Sequence, residues 1–348
     1  MIADAADISA ERSPVVIAEG QIPGIAAIED AARRLAPILL KVPLMESGGL
    51  NDRVGGRLLV KAETLQPTGS FKVRGAWNRI SRLSSDKIAR GVLALSSGNH
   101  GRAVAWAARA VGARAVILMP ADAPLNKIEQ TRALGAKIVA YDRRSADRAD
   151  LVRHWRESEG LVYVPAFDDT HIVAGAATVA YEAAKEAAAS GVRIDGFAAA
   201  CSGGGLIAGS ALALGVLSPA TEIWGVEPAG YDDTSQSLVR GERVSVSASG
   251  ETICDALLSL TPGEFTFEIN RRRLSGIITA TDDDARQGMR AAFKEFGLVT
   301  EPSGAVALGA LLAARDRTEG RTFVVVLSGR NVDEDLFARQ LTEAARTI

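Results

Sequence analysis

Four short stretches hold residue types able to do chemistry, and each follows an apolar run. The first is TLQPTGSFKVRGAWN, residues 64–78, in which Lys72 comes directly after Phe71. An ammonium placed against aromatic surface and partly removed from water has its pKa lowered, so the neutral amine can attack a carbonyl and form a Schiff base. The plain alternative is a solvated lysine on the first turn of a helix. The second stretch is SSGNHG, residues 96–101. Two hydroxyls, an amide and the free N–H groups of a helix start suit a carboxylate or a polar ring substituent. Helix capping by Ser97 or Asn99 is the rival account. The third is CSGGGL, residues 201–206, where residues without side chains let backbone N–H groups converge on an oxyanion. No Gly-Lys-Ser/Thr follows, so it is not a Walker loop, and its glycine spacing matches a dinucleotide loop imperfectly. The fourth is LSGRN, residues 327–331, where Ser328 can offer a hydroxyl to a ring nitrogen. Glu301, in the helix-starting run EPSG, reads by itself as first-turn dipole stabilisation.

A lysine able to form a Schiff base, a phosphate cradle, a carboxylate receptor and a ring-nitrogen partner together describe one cofactor, pyridoxal 5'-phosphate.

The elements that must position these residues show a βα rhythm. Strand-like runs RLLVKAE, GVLALSS, ARAVILMP, AKIVAYD and LVYVPAF, then FAAAC, EIWGVEP, GIITA and TFVVVLS, alternate with amphipathic or Ala-rich helical stretches. Short apolar strands separated by helices predict a parallel sheet covered on both faces. The expected fold class is therefore α/β, with two open, mostly parallel twisted sheets covered by helices. The expected organisation is a mobile arm over residues 1–20, a large cofactor-binding domain formed by 21–89 and 169–348, and a small inserted domain over 90–168. At 348 residues, with 47% apolar and 24% charged residues, the chain has ample core for two such units.

Charge and cysteine usage narrow the function classes. Forty basic and forty-two acidic side chains, without a Lys/Arg block, argue against nucleic acid as a partner. Cys201 and Cys254 are the two cysteines and lie at no metal-ligand spacing, which predicts neither a disulfide framework nor a zinc site and fits a reducing cytoplasm. The acidic N-terminus lacks the pattern of a signal peptide. Residues 196–221 carry no charge and are long enough to cross a bilayer, but Ser202-Gly203-Gly204-Gly205 divides them into strand, loop and helix, so no membrane span is expected.

The four motifs give the chain a family likeness. From about residue 25 to 332 it resembles the serine/threonine dehydratase branch of the pyridoxal-phosphate enzymes of the tryptophan-synthase-beta fold type, a group that includes serine racemase and hydroxyaspartate dehydratases. TGSFKVRGA resembles that family's lysine motif, SSGNHG its carboxylate loop, SGGGL its phosphate loop and LSGRN its ring-nitrogen serine. The resemblance implies that Lys72 holds the cofactor covalently and Phe71 packs against its ring. Asn99 would bond the ring hydroxyl, Ser202, Gly203, Gly204, Gly205 and Leu206 the phosphate, and Ser328 the ring nitrogen, with Glu301 also beside the cofactor. Ser96, Ser97 and His100 would surround the substrate carboxylate. A divalent cation, Mg2+ or Ca2+, held by Glu227, Asp233 and the Tyr231 carbonyl is implied too, and oxygen ligands suit it. The family likeness also implies a homodimer. Three departures stand out: Ser202 and Arg330 replace common glycines, and Gly175-Ala176-Ala177-Thr178 stands where Gly-Gln-Gly-Thr is usual. The regulatory extension of feedback-controlled threonine dehydratases is not expected after residue 333.

The expected activity is that of a carbon-oxygen lyase: β-elimination from a β-hydroxy-α-amino acid, L-threonine or L-serine by default, giving a 2-oxo acid and ammonia. Lys72 would remove the α-proton. Ser97, as a second acid/base, would allow serine racemisation instead. A hydroxyaspartate substrate would need a further cation, for which Arg148 and Arg330 are candidates. From other classes, a nicotinamide-dependent oxidoreductase requires a GxGxxG that is missing after the early strands, and a non-catalytic cofactor-binding protein should have lost the intact SSGNHG.

Overall fold

The computed structural model describes residues 22–343 apart from positions 124, 143, 144 and 249, so the 1–20 arm lies outside the described residues. Ten strands run in chain order: β1 (Leu44–Glu46), β2 (Arg57–Ala62), β3 (Val92–Leu95), β4 (Ala115–Pro120), β5 (Lys137–Tyr141), β6 (Val162–Tyr163), β7 (Gly196–Ala200), β8 (Glu222–Pro228), β9 (Gly276–Ala280) and β10 (Thr322–Leu327). They form a six-stranded sheet in the order β1-β2-β10-β7-β8-β9 and a four-stranded sheet in the order β5-β4-β3-β6. Every pairing is parallel except β1 with β2. The two mostly parallel sheets follow from strands such as AVILMP and GFAAA, which are buried along their whole length and can satisfy both faces only under helices.

In the six-stranded sheet alternate side chains go to opposite faces, as strand geometry requires. Val325 and Leu327 pack with the helices Asp282–Phe296 and Pro302–Ala313, while Val324 and Val326 pack with Thr170–Ala189 and Gly205–Leu217. The uncharged run 196–221 is split between β7, a glycine turn and the helix Gly205–Leu217. Among the described residues no helix is long and apolar enough to cross a membrane. Edge strand β1 and the helices Gly48–Val54, Asp233–Arg240 and Glu264–Arg273 were not expected from the sequence; the first three are only three, seven and eight residues long, and Glu264–Arg273 is weakly amphipathic.

The helix Lys72–Ile80 lies between the two units. Val73, Ala76 and Ile80 join the core of the four-stranded sheet. On another side the helix meets Thr170–Ala189 backbone to backbone: a Cβ at Gly175 would lie 2.5 Å from the Arg74 carbonyl oxygen. Arg74 is wholly buried. Its Nε and one terminal nitrogen donate to both oxygens of Glu63 at 2.6 and 2.8 Å, and its terminal nitrogens reach Glu182 at 2.7 and 2.9 Å and the Thr178 hydroxyl at 2.9 Å. All five N–H groups of the guanidinium are thereby used. Lys61 adds a second cation to Glu182 at 2.9 Å.

Removing one partner of a buried ion pair leaves the other charge uncompensated. Arg74→Met is accordingly expected to lower unfolding free energy by about 3–5 kcal/mol in urea titrations; a loss below about 1 kcal/mol would show that the network carries no such burden.

Candidate active site

The four chemical stretches leave the carboxyl ends of β2, β3, β7 and β10, which is where open α/β sheets form ligand crevices. Two backbone bonds tie the Lys72 loop to the Ser328 loop: the Phe71 N–H donates to the Ser328 carbonyl at 3.1 Å and the Arg330 N–H to the Gly69 carbonyl at 2.8 Å. Lys72 and Ser328 are fixed relative to one another by main chain alone.

A cavity of about 300 Å³ opens there. Its wall contains Phe71, Lys72, Ser96, Ser97, Asn99, His100, Arg148, Ser202, Gly203, Gly204, Gly205, Leu206, Glu301 and Ser328, so the structure brings these sequence-derived residues together. Arg330 is exposed and is not among the lining residues. Glu227, Tyr231 and Asp233 lie elsewhere, at the end of β8 and the start of the helix Asp233–Arg240.

The Lys72 amine donates to the Ala166 carbonyl at 2.9 Å and stands 5.2 Å from the centre of the Phe71 ring. Burial lowers its pKa to about 8, and no carboxylate among the described residues is paired with it. His100 is also buried; burial first, then the nearby Lys72 charge, push its imidazole down to about 3, and its Nε2 bonds the Val164 carbonyl at 2.9 Å. A carbonyl only accepts, so Nε2 carries the proton of a neutral ring. His100 thus anchors the SSGNHG helix start to the chain after β6 and brings no positive charge to a carboxylate.

Asn99 is set by two neighbours. Its amide N–H donates to Glu301, and its carbonyl accepts from Asn331, which also donates to the Thr68 carbonyl at 3.0 Å. Burial and then the charge of Asp255 raise the Glu301 carboxyl to about 7. One Asn99 N–H remains for a further acceptor, since a primary amide has two.

The glycine turn opens the helix Gly205–Leu217, whose first N–H groups point out of its end. Side chains are excluded there: a Cβ at Gly203 would fall 2.2 Å from the Phe167 ring, and Gly204 has φ +86°, in the left-handed region. From behind, the Thr266 hydroxyl donates to the Gly203 carbonyl, and Asp168 accepts the Glu264 N–H at 2.7 Å, capping the helix Glu264–Arg273. A helix N-terminus, a turn without side chains and a partly neutral amine in one cavity fit the phosphate and aldehyde of pyridoxal phosphate.

At the second location Glu227 accepts the Thr234 and Ser235 N–H groups at 3.0 and 2.9 Å. Asp233 is wholly buried and neither of its carboxyl oxygens has a hydrogen-bond partner. Burial raises Glu227 to about 7 and, with the charge of Glu227 added, Asp233 to about 8. Among the described residues no group of three or more His, Cys, Asp or Glu side chains surrounds one point. Two carboxylates, one with orphaned oxygens, nonetheless fit a hard cation completed by a backbone carbonyl.

Sequence reasoning missed several cavity residues. Arg102 follows SSGNHG by one residue and reaches Gln130 at 2.6 Å and Asn331 at 3.1 Å. Phe167 ends the LVYVPAF run, a position where a strand-end signal was available. Lys127 and Asp255, 128 residues apart, form an ion pair in the wall and have no local signal at all.

Comparison with known proteins gives three lines of likeness. The family model described as pyridoxal-phosphate dependent enzyme matches residues 36–329. The chain is 35% identical over 317 residues to the L-threo-3-hydroxyaspartate ammonia-lyase of Saccharomyces cerevisiae, covering 91% of this chain and 96% of that one. Among solved structures, a threonine deaminase from T.th. superposes with a TM-score of 0.84 at 39% identity, covering 89% of this chain and 99% of the other. Maize serine racemase superposes with a TM-score of 0.85 at 31% identity over 93% and 98%.

Because burial favours the neutral amine, the reactivity of Lys72 rises with pH around its lowered pKa. In cofactor-free protein, labelling of Lys72 by an amine-specific reagent is expected to rise with a midpoint of about 8, measured by peptide mass spectrometry. A midpoint at the ordinary lysine value of about 10.4 would mean that the amine is solvated.

Proposed function

The chain belongs to the pyridoxal-phosphate dependent enzyme family, and from that premise we propose that it is an ammonia-lyase acting on a β-hydroxy-α-amino acid, with 3-hydroxyaspartate preferred over serine and threonine. The observation that supports the preference is the charge of the cavity wall, where Arg102, Lys127, Arg148 and Lys72 outnumber the two acidic side chains, Asp255 and Glu301. Threonine and serine, the substrates expected by default from the sequence, bring only an α-carboxylate. A hydroxyaspartate brings a second carboxylate to this cationic wall. The name of the yeast relative points the same way.

Bound pyridoxal phosphate supplies an aldehyde for the substrate amine and an electron-withdrawing ring that accepts the negative charge left on the α-carbon. The side chains do the rest. Ser96, Ser97 and the N–H groups opening the helix Asn99–Ala110 orient the α-carboxylate. Lys72 Nζ takes the α-proton, and its burial favours the neutral amine that this step needs. The Ala166 carbonyl keeps Nζ directed into the cavity. The residues from Ser202 to Leu206 hold the phosphate, one Asn99 N–H serves the ring hydroxyl, and Ser328 presents an uncharged hydroxyl to the ring nitrogen. Loss of the β-hydroxyl as water leaves an enamine, which hydrolyses to the 2-oxo acid and ammonia. Glu227, Asp233 and the Tyr231 carbonyl would hold Mg2+ or Ca2+ away from the reacting atoms.

Two measurements test this reading. The holoenzyme should show kcat/KM for a 3-hydroxyaspartate isomer at least about ten-fold above that for L-serine or L-threonine, one charge-assisted contact being enough for such a ratio. Serine or threonine as the better substrate would overturn the preference, and no 2-oxo acid from any β-hydroxy amino acid would overturn the lyase reading. For the cation, EDTA is expected to lower Tm by a few degrees, about what loss of 1 kcal/mol does in a protein of this size, and Asp233→Asn to abolish the response; a Tm indifferent to chelator and to added Mg2+ or Ca2+ would exclude the site.

A further inference from the structure

One of the cavity-wall cations, Lys127, is bound to a second lining side chain, Asp255. Lys127 is on the helix Leu125–Ala133 beside the four-stranded sheet; Asp255 is on a segment carried by the six-stranded sheet and its helices. Their ion pair joins the two sides of the cavity. The Asp255 backbone is held in place, since the Ile253 N–H donates to Asp282 and the Ala256 N–H donates to the Ser303 hydroxyl at 3.0 Å.

The partners are unequally solvated: the Lys127 side chain is 20% exposed and that of Asp255 is 48% exposed. Water readily takes over a carboxylate that is already half solvated. The Lys127 side chain is the more covered of the two, so water compensates it less than it compensates Asp255 when the pair opens, and a second anion is the better replacement. A substrate with an acidic side chain carries that second anion into the cavity, and serine or threonine does not. Arg102 is less suited to discriminate because Gln130 and Asn331 hold one of its terminal nitrogens in place, and Arg148 is exposed, where water and salt weaken its attraction.

We propose that Lys127 is a specificity-determining residue that exchanges Asp255 for the side-chain carboxylate of an acidic β-hydroxy amino acid. The identity of the substrate rests on the ammonia-lyase reading; the exchange itself is measurable without turnover. Calorimetric binding to the holoenzyme of malate, which carries two carboxylates and no amine, is compared with binding of lactate, which carries one. Malate is expected to bind about ten-fold more tightly than lactate, with that advantage lost in Lys127→Gln, retained in Lys127→Arg and enlarged in Asp255→Asn. The ratio of kcat/KM for hydroxyaspartate to that for serine should move in parallel. A malate-to-lactate ratio unchanged in Lys127→Gln, or a loss of both ligands together that Lys127→Arg does not reverse, overturns the exchange. Failure of turnover with the malate preference intact would instead overturn the lyase reading and leave the exchange standing.

Discussion

The Arg74 guanidinium is the fixed point of this structure. It is buried among Glu63 after β2, Thr178 and Glu182 on the helix Thr170–Ala189, and it lies two residues from Lys72. Burial opposes its charge, but the two carboxylates outweigh that and hold its pKa above the ordinary value. Burial opposes ionisation of Glu182 as well, and there Arg74 and Lys61 prevail, holding it at about 2. A network in which every donor has an acceptor has one low-energy arrangement, so the helix carrying Lys72 has little freedom to rotate or slide. The close approach at Gly175 adds a steric stop to the same helix pair.

The same burial yields opposite results nearby. Arg74 is surrounded by matched charge and serves structure. Lys72 faces a carbonyl and an aromatic ring, has no anionic partner among the described residues, and is driven by burial toward its neutral form. Burial drives both Glu227 and Asp233 toward their protonated forms, the charge of Glu227 adding to it at Asp233, and a cation would relieve both. Buried pairing that is complete, as at Arg74, marks scaffold, while buried charge left without an ionic partner among the described residues, as at Lys72 and Asp233, marks places able to take up a ligand.

The topology explains why these places converge. Parallel strands put all their carboxyl ends on one side, so the turns after β2, β7 and β10 meet although they are far apart in sequence, and β3 brings the serine-asparagine loop from the second sheet. The antiparallel bridge between Ser70 and Gly329 then sets the Lys72 and Ser328 loops in register. His100, tied to the Val164 carbonyl, does the same between the serine-asparagine loop and the chain that leads to Ala166.

The α/β class, the strand and helix alternation and the four chemical stretches are written in the residues alone, because apolar periodicity, glycine turns and motif spacing act over a few positions. Lys72, Asn99, the residues from Ser202 to Leu206 and Ser328 were legible for that reason. It took the packed chain to make Lys72 desolvated, His100 neutral and structural, and Arg330 a residue outside the cavity while Arg102, Lys127 and Asp255 line it. Edge strand β1 was also invisible beforehand, since three residues carry no period and gain their strand geometry only by pairing with β2. Desolvation and charge pairing depend on which distant segments pack together, and packing of that kind leaves no local pattern in the chain.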